Sequence, residues 1–265
     1  LQAFFDDHAI PYETIPLTDH GDTLRAVVSG GDGNRPILLC GHRDTVFATG
    51  EVKKRPFSTR DGKAFGPGVA DMKPGLVINA FILAAFHKFG GHPNPLVGLF
   101  TGDEEVGSPS SKDVIIAEAE KARLAFNSEP SRPSGNIVTK RKGGIFCHCA
   151  ITGVAAHSGG FFTDGCSAIE ELAHKIQALH ALTDLDRGTT INVGLVSGGQ
   201  SVNTIAAEAS CAIDVRYQQT ADRDDIMAQV RSICEKVSVE GTSSSFSIRG
   251  EFQPLNPSAQ SDELF

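Results

Sequence analysis

The sequence predicts an α/β protein with two parts, a mixed sheet flanked by helices and then an inserted ferredoxin-like α+β domain. In the first half, short apolar runs alternate with helical segments, which is typical of strands joined by crossover helices. In the second half, the predicted elements follow the order β-α-β-β-α-β. The length of 265 residues is sufficient for both parts.

The elements of the first half follow from local patterns. Residues 36–40 form a continuous apolar run, as expected for a strand buried on both faces. Pro74 suits the first turn of a helix over 75–89, and Gly90 ends that helix. Because this helix is apolar on nearly all sides, we expect it to be deeply buried. The other predicted elements are a strand at 96–101, a helix at 110–122 and a strand at 123–127.

The second half has clearer amphipathic patterns. Apolar residues at helical spacing predict a helix over 166–182. Residues 207–217 alternate between apolar and polar side chains, which predicts a strand with one buried face. Asp222 is a candidate N-cap for a helix ending near residue 237. The remaining predicted strands are 145–152, 190–197 and 244–249.

Composition and the chain ends narrow the class of protein. The net charge of −8 argues against nucleic-acid binding, and the apolar stretches are shorter than the ~20 residues of a membrane span. Six cysteines without a Cys-x-x-Cys pair indicate free thiols and a cytoplasmic protein, or a periplasmic one if a signal peptide was removed. Cys147 and Cys149 share a strand face, but their spacing disfavours a metal or redox role. The chain starts at Leu1 and stops where a helix begins, so we expect a fragment of a longer protein.

Acidic and imidazole side chains follow three predicted strands of the first half and precede its apolar helix. These side chains are His42, Asp44, Asp71, Glu104, Glu105 and Glu129. Because the carboxyl ends of strands in open α/β sheets meet in one crevice, we expect a metal site there. Imidazole plus carboxylate suits Zn²⁺, with Mn²⁺ or Co²⁺ as alternatives.

Each of these residues also has a purely structural interpretation. Glu104 and Glu105 could form a solvated turn, His42 could be a satisfied core histidine, and Asp71 could cap the helix that begins near Pro74. Asp103 is expected only to solvate a turn. The metal-site interpretation is favoured because all the segments converge on one place.

Four ordered motifs resemble the co-catalytic zinc peptidase family, which includes glutamate carboxypeptidase, acetylornithine deacetylase, succinyl-diaminopimelate desuccinylase and aminoacylase. The motifs are 41–46 (GHRDTV), 64–75 (AFGPGVADMKPG), 101–108 (TGDEEVGS) and 128–130 (SEP). The segment from Phe47 to Gly66 most resembles the glutamate carboxypeptidase branch. The resemblance runs across nearly the whole chain.

The resemblance implies two zinc ions per subunit in the complete enzyme. His42 and Glu129 would bind the first, Asp71 would bridge both, and Glu105 would bind the second. The family's last ligand, a histidine near the C-terminus, has no counterpart here, because no histidine follows His180.

The resemblance also implies catalytic and substrate-binding roles. Asp44 would hold the ring of the zinc-binding histidine, and Glu104 would be the general base. His157 would steady the oxyanion from the partner subunit. Asn203 and Arg216 would hold the free carboxylate of the substrate.

The sequence therefore predicts a metal-dependent hydrolase of a peptide or N-acyl amide bond beside a free carboxylate, similar to glutamate carboxypeptidase. The alternatives are an N-acyl-amino-acid deacetylase or desuccinylase, and a non-catalytic metal-binding dimerisation module.

The predicted domains are 1–140 (catalytic), 141–252 (lid and homodimerisation) and 253–265 (return to the catalytic domain). Nucleotide binding is disfavoured because Asp71 replaces the third glycine of the fingerprint, and no Gly-x-Ser-x-Gly elbow of a serine hydrolase occurs.

Overall fold

The structure is a computed structural model that describes residues 1–31 and 34–264. The chain divides into two compact units, Leu1–Ile137 and the residues from Val138 onward. This division lies close to the boundary predicted at residue 140. Each unit has its own sheet and its own apolar core.

The first unit contains a five-stranded mixed sheet in the order β1-β2-β6-β3-β7. Its helices are α1 (Gln2–Asp7), α2 (Glu51–Lys54), α3 (Lys73–Lys88) and α4 (Lys112–Lys121). Its strands are β1 (Tyr12–Ile15), β2 (Thr23–Val28), β3 (Ile37–His42), β4 (Ser58–Arg60), β5 (Lys63–Phe65), β6 (Leu96–Thr101) and β7 (Leu124–Asn127). Strands β4 and β5 form a separate two-stranded hairpin.

The parallel part of the first sheet positions the candidate site. Strand β3 lies between β6 and β7 and pairs in parallel with both. All six residues of β6 are buried, because apolar clusters cover both faces of the sheet. One cluster lies under α1 and α3, and the other lies under α4. The carboxyl ends of three neighbouring strands therefore meet at one edge.

Helix α3 differs from the prediction of deep burial on all sides. Its buried face contains Leu76, Asn79 and Leu83, and its other face exposes large apolar side chains. Val77, Ile78 and Phe81 are 52%, 55% and 57% exposed. The prediction was wrong because apolar composition shows what a helix could bury, whereas the sheet covers only one side of it.

The second unit is an antiparallel four-stranded sheet in the order β11-β8-β10-β9, covered on one face by two helices. Its strands are β8 (Gly143–Thr152), β9 (Thr190–Gly198), β10 (Glu208–Tyr217) and β11 (Ser243–Phe252). Its helices are α5 (Ala168–His180), α6 (Arg223–Glu235) and the short α7 (Ala259–Asp262). The element order and the strand order confirm the predicted ferredoxin-like plan.

Candidate metal centre

His42 is the centre of the cluster that the sheet edge assembles. Its side chain is 2% exposed, and its Nε2 atom faces carboxylates that follow different elements. Nε2 lies 3.0 Å from Asp71 Oδ1, 3.4 Å from Glu129 Oε1 and 3.8 Å from Glu104 Oε2. The edge therefore brings together groups that lie far apart in the sequence.

Three of these residues have the geometry of a metal-ligand set. His42, Asp71 and Glu129 each offer one potential ligand atom, and these three atoms lie within 4.8 Å of one another. Among the residues that the structure describes, this is the one group of three or more His, Cys, Asp or Glu side chains that meets this criterion. A nitrogen donor with two carboxylate oxygens fits a transition metal such as zinc.

Asp44 holds the other side of the His42 ring. The ring Nδ1 lies 3.1 Å from the Asp44 carbonyl oxygen and 3.4 Å from its carboxylate. The same carboxylate accepts the backbone N–H of Glu105 at 2.9 Å. Because Nδ1 is engaged by these oxygens, Nε2 points towards the other carboxylates.

The cluster carries an excess of negative charge. Burial lowers the pKa of His42, but the neighbouring carboxylates of Asp44, Glu129 and Glu104 outweigh it and raise the pKa to about 11. Burial and the charges of nearby acids raise the pKa of Glu104 and of Glu105 above the ordinary value. A divalent cation among these groups would neutralise the repulsion that these shifts report.

Asp103 has a different role from the solvated turn that the sequence suggested. Its side chain is 1% exposed and accepts the backbone N–H groups of Ser110 and Ser111 at 2.8 and 3.0 Å. The Ser111 hydroxyl also donates to it. Asp103 therefore anchors the chain just before α4.

Asp71 does not cap α3. The N-cap residue is Met72, without a side-chain capping bond, and Asp71 points its carboxylate at His42 instead. The peptide bond between Asp71 and Met72 is cis. The Met72 sulfur accepts the backbone N–H of His42 at 3.1 Å, so the residue after Asp71 also contacts the centre of the cluster.

Sequence reasoning missed two residues that support this edge, Asn79 and Gly75. Asn79 is fully buried on α3 and forms hydrogen bonds to Cys40 and Ser128. Cys40 precedes His42 by two residues, and Ser128 directly precedes Glu129. Gly75 brings α3 very close to the carbonyl oxygen of Ser128. A single polar residue on an otherwise apolar helix face was the available signal.

His157 and Asn203 lie on neighbouring loops of the second unit. Ser158 N–H donates to the Asn203 carbonyl at 3.0 Å, and His157 forms a β-bridge with Thr204. The backbone N–H groups of Gly159 and Gly160 donate to His157 Nδ1 at 3.1 and 3.2 Å. Since Nδ1 is an acceptor here, these hydrogen bonds assign the ring proton to Nε2, which is thereby a donor.

Arg216 lies on β10, on the sheet face opposite α5 and α6. Its Nε is 2.8 Å from Asp214 Oδ1. Its guanidinium carbon lies 5.3 Å from the ring centroid of Phe146 and 5.2 Å from that of Phe252. The side chain is thus held by one acid and two aromatic rings while remaining one-third exposed.

Two negative findings concern other kinds of site. Within 1–31 and 34–264, no helix is long and apolar enough to cross a membrane. All six cysteines are free thiols, and none belongs to the ligand group found among the described residues.

The fold and the site define the class: a mixed α/β unit with an imidazole–carboxylate cluster at its sheet edge, followed by a ferredoxin-like unit. Residues 139–242 match the model of the peptidase dimerisation domain of M20 proteins. The structure resembles aminopeptidase PepT from Bacillus cereus, with a TM-score of 0.78, 21% identity, and coverage of 98% of this chain and 72% of that one. It also resembles the M20 family metallo-carboxypeptidase Sso-CP2 from Sulfolobus solfataricus, with a TM-score of 0.77, 14% identity, and coverage of 97% and 73%.

Curated relatives agree with this class. Carboxypeptidase G2 from Pseudomonas sp. (strain RS-16) is 31% identical over 78% of this chain and 50% of its own length. Acetylornithine deacetylase from Proteus mirabilis is 30% identical over 78% of this chain and 56% of its own length. The chain spans about half the length of these relatives. The dimerisation-domain match and these relatives confirm the resemblance stated above, to M20 peptidases and deacetylases.

Proposed function

We propose that the first unit is the metal-binding part of a metal-dependent amide hydrolase. The observation that carries this proposal is the position of His42 Nε2, which faces carboxylate oxygens from Asp71, Glu129 and Glu104 within 3.8 Å. Carboxylates grouped around one imidazole repel one another, and burial together with this repulsion raises the pKa of Glu104. The same arrangement is well suited to holding a divalent cation.

The proposed cofactor is zinc, two ions per subunit in the complete enzyme, with Co²⁺ or Mn²⁺ as alternatives. His42, Asp71 and Glu129 would hold the first ion, as their mutual distances allow. Asp71 would also reach the second ion together with Glu105. The charge of Asp71 raises the pKa of Glu105 next after burial does, which agrees with two carboxylates close enough to share a cation.

A bound cation would supply two kinds of chemistry, polarisation of the scissile carbonyl and a lowered pKa of water. Glu104 would take the proton from the attacking water and deliver it to the leaving amine. Burial and neighbouring acids raise the pKa of Glu104 above its ordinary value, which strengthens it as a base. Asp44 would orient the ring of His42. His157 would donate its Nε2–H to the oxyanion in the site of the partner subunit.

The proposed substrate is a peptide or N-acyl amino acid whose scissile bond lies beside a free carboxylate, as in a glutamate carboxypeptidase. Asn203 and Arg216 would bind that carboxylate. The stacked, partly exposed guanidinium of Arg216 supports this, since two rings and Asp214 fix its plane. An N-acyl-amino-acid deacetylase or desuccinylase is the alternative within the family, and relatives named for both activities occur.

We also propose that the second unit forms a homodimer. Strand β9 is an edge strand of its sheet, and its successive residues Leu195 and Val196 are 72% and 61% exposed. An exposed apolar edge strand can pair with the same strand of a second copy. Val196→Lys should shift the sedimentation coefficient from dimer to monomer, whereas Val237→Lys, at an exposed position outside β9, should leave it unchanged. A wild-type chain that sediments as a monomer would refute the dimer.

We propose three parts of the chain: residues 1–140 would be the catalytic domain, 141–252 the lid and dimerisation domain, and 253–265 the start of the return to the catalytic domain. We also propose a cytoplasmic location, because all six thiols are free.

Elemental analysis of the purified chain tests the function most directly. Zinc, manganese and cobalt are measured per chain, and hydrolysis is measured on acyl-glutamate, acetyl and succinyl substrates. One to two equivalents of metal together with hydrolysis support the proposal. Metal without hydrolysis supports the metal site but not hydrolysis by this chain alone, and a chain that binds no metal after incubation with zinc refutes the proposal.

A further inference from the structure

Asn79 is a polar side chain at the centre of the buried face of α3. It is 0% exposed and lies among Leu76, Ala80 and Leu83, which are apolar. Burying an amide costs free energy unless its hydrogen bonds are made. The contacts of Asn79 therefore indicate what the residue is for.

The nitrogen and the oxygen of the Asn79 side-chain amide each form a hydrogen bond to a segment that leads to the cluster around His42. The Nδ2 group donates to the carbonyl oxygen of Cys40 at 2.9 Å, and Cys40 is two residues before His42. The Oδ1 atom accepts the hydroxyl of Ser128 at 2.7 Å, and Ser128 directly precedes Glu129. One side chain thus joins the ends of β3 and β7 just before each supplies a candidate ligand.

Gly75, one turn earlier on α3, allows the helix to approach Ser128 closely. A Cβ atom at Gly75 would lie 2.1 Å from the carbonyl oxygen of Ser128, so only glycine allows this approach. The backbone of Ser128 also donates to the Cys40 carbonyl, at 3.4 Å. Helix α3 therefore holds Ser128 at two points, one steric and one through the Asn79 amide.

We propose that Asn79 is a positioning residue of the metal centre, which sets the separation of His42 and Glu129. This inference rests on the proposed function. His42 Nε2 and Glu129 Oε1 are 3.4 Å apart. A metal site tolerates errors of only a few tenths of an ångström in its metal–ligand distances. Asn79 contacts neither ligand side chain in the hydrogen bonds described, so it would act through Cys40 and Ser128.

Cobalt titration of the 265-residue chain tests this inference without a need for turnover. Co²⁺ affinity and the visible absorption spectrum of bound Co²⁺ are measured for wild type, Asn79→Leu and Ser128→Ala. Asn94→Leu is the matched control. Asn94 is also buried and donates its Nδ2 to the carbonyl of Arg35 at 2.8 Å, near the other end of β3. The melting temperature of each metal-free protein is recorded in parallel.

We expect Asn79→Leu and Ser128→Ala to weaken Co²⁺ binding by roughly 10- to 100-fold and to change the spectrum. Asn94→Leu should lower the melting temperature of the metal-free protein and leave both Co²⁺ readouts as in wild type. A role in stability alone predicts instead that Asn79→Leu and Asn94→Leu behave alike.

The outcomes separate this inference from the proposed function. If wild type binds no Co²⁺, the proposed function fails and the inference fails with it. If wild type binds Co²⁺ and the Asn79 variant binds it equally well, only the inference is overturned. Should Asn79→Leu not fold, the smaller change Ser128→Ala decides the question, and unchanged Co²⁺ binding by that variant overturns the inference.

Discussion

Replacing Glu104 with Gln should remove hydrolysis and leave metal binding intact. Glu104 Oε2 lies 3.8 Å from His42 Nε2, farther than the Asp71 and Glu129 oxygens at 3.0 and 3.4 Å. Glu104 is also outside the group whose ligand atoms lie within 4.8 Å of one another. Gln keeps the size of the side chain and removes only its charge and its ability to accept a proton.

The expected size of the effect follows from the proposed role. Loss of a general base lowers the rate by roughly 10²- to 10⁴-fold. That range corresponds to about 2.7–5.4 kcal/mol of activation free energy. Stability should not fall, because burial and the charges of Glu129 and Glu105 raise the pKa of Glu104 and so oppose its ionisation. The assay combines kcat on an N-acyl-glutamate substrate, metal per chain and the melting temperature of the metal-free protein.

Glu105→Gln is the matched control for this prediction. It removes the neighbouring carboxylate, which we assign to the second cation, so its metal content should fall while that of Glu104→Gln stays at the wild-type value. Normal turnover in Glu104→Gln would refute its role as a base. Metal loss in Glu104→Gln, with retention in Glu105→Gln, would show that the two roles are reversed. Metal content alone distinguishes the two roles even without turnover.

Four further predictions concern recognition, stability and pH. Arg216→Ala should raise KM for substrates with a free carboxylate far more than for their amides, and equal effects on both would make Arg216 structural. Lys175→Met should lower the unfolding free energy in urea by about 3–5 kcal/mol, because it leaves Glu171, at 2.7 Å in a buried pair, without its cation. Burial raises the pKa of Glu171, but Lys175 and backbone N–H groups outweigh it and hold that pKa below 4.5. The stabilisation by this pair should therefore be present above pH 4.5 and disappear as the pH falls through the lowered pKa of Glu171. A difference in unfolding free energy between wild type and Lys175→Met that does not change with pH would contradict this. Gly75→Ala, which stabilises most helices, should lower the melting temperature because the new Cβ meets the Ser128 carbonyl, and a rise would show that α3 can move away.

The sequence was most informative where one local pattern decides the structure. Strand β6 was predicted at 96–101 and occurs at Leu96–Thr101, because a short apolar run between turns has few alternatives. The helix from Lys73 was predicted within two residues, since Pro74 and Gly90 limit it. The β1–β2 pair and the β4–β5 hairpin were missed, because their residues are mixed in polarity and depend on pairing across the sheet.

The candidate site was predictable in its residue types but not in its supports. His42, Asp71 and Glu129 follow or precede elements whose ends must meet, so topology alone brings them together. Asn79 could not be assigned in this way, because its role depends on which way the helix faces the sheet. The sequence also did not show which face of α3 packs on the sheet, and the apolar outer face was therefore wrongly predicted to be buried.

The direction of the pKa shift separates two kinds of acid in this chain. Glu171 has its pKa lowered by Lys175 and backbone donors, so its charge is already compensated inside the second unit. Glu104 and Glu105 have raised pKa values, because burial and neighbouring acids oppose their charge. A carboxylate whose charge is opposed by neighbouring acids reduces stability until a cation arrives, which agrees with a binding role for these two residues. The raised pKa values of Glu104 and Glu105 therefore support the metal centre that the geometry around His42 indicates.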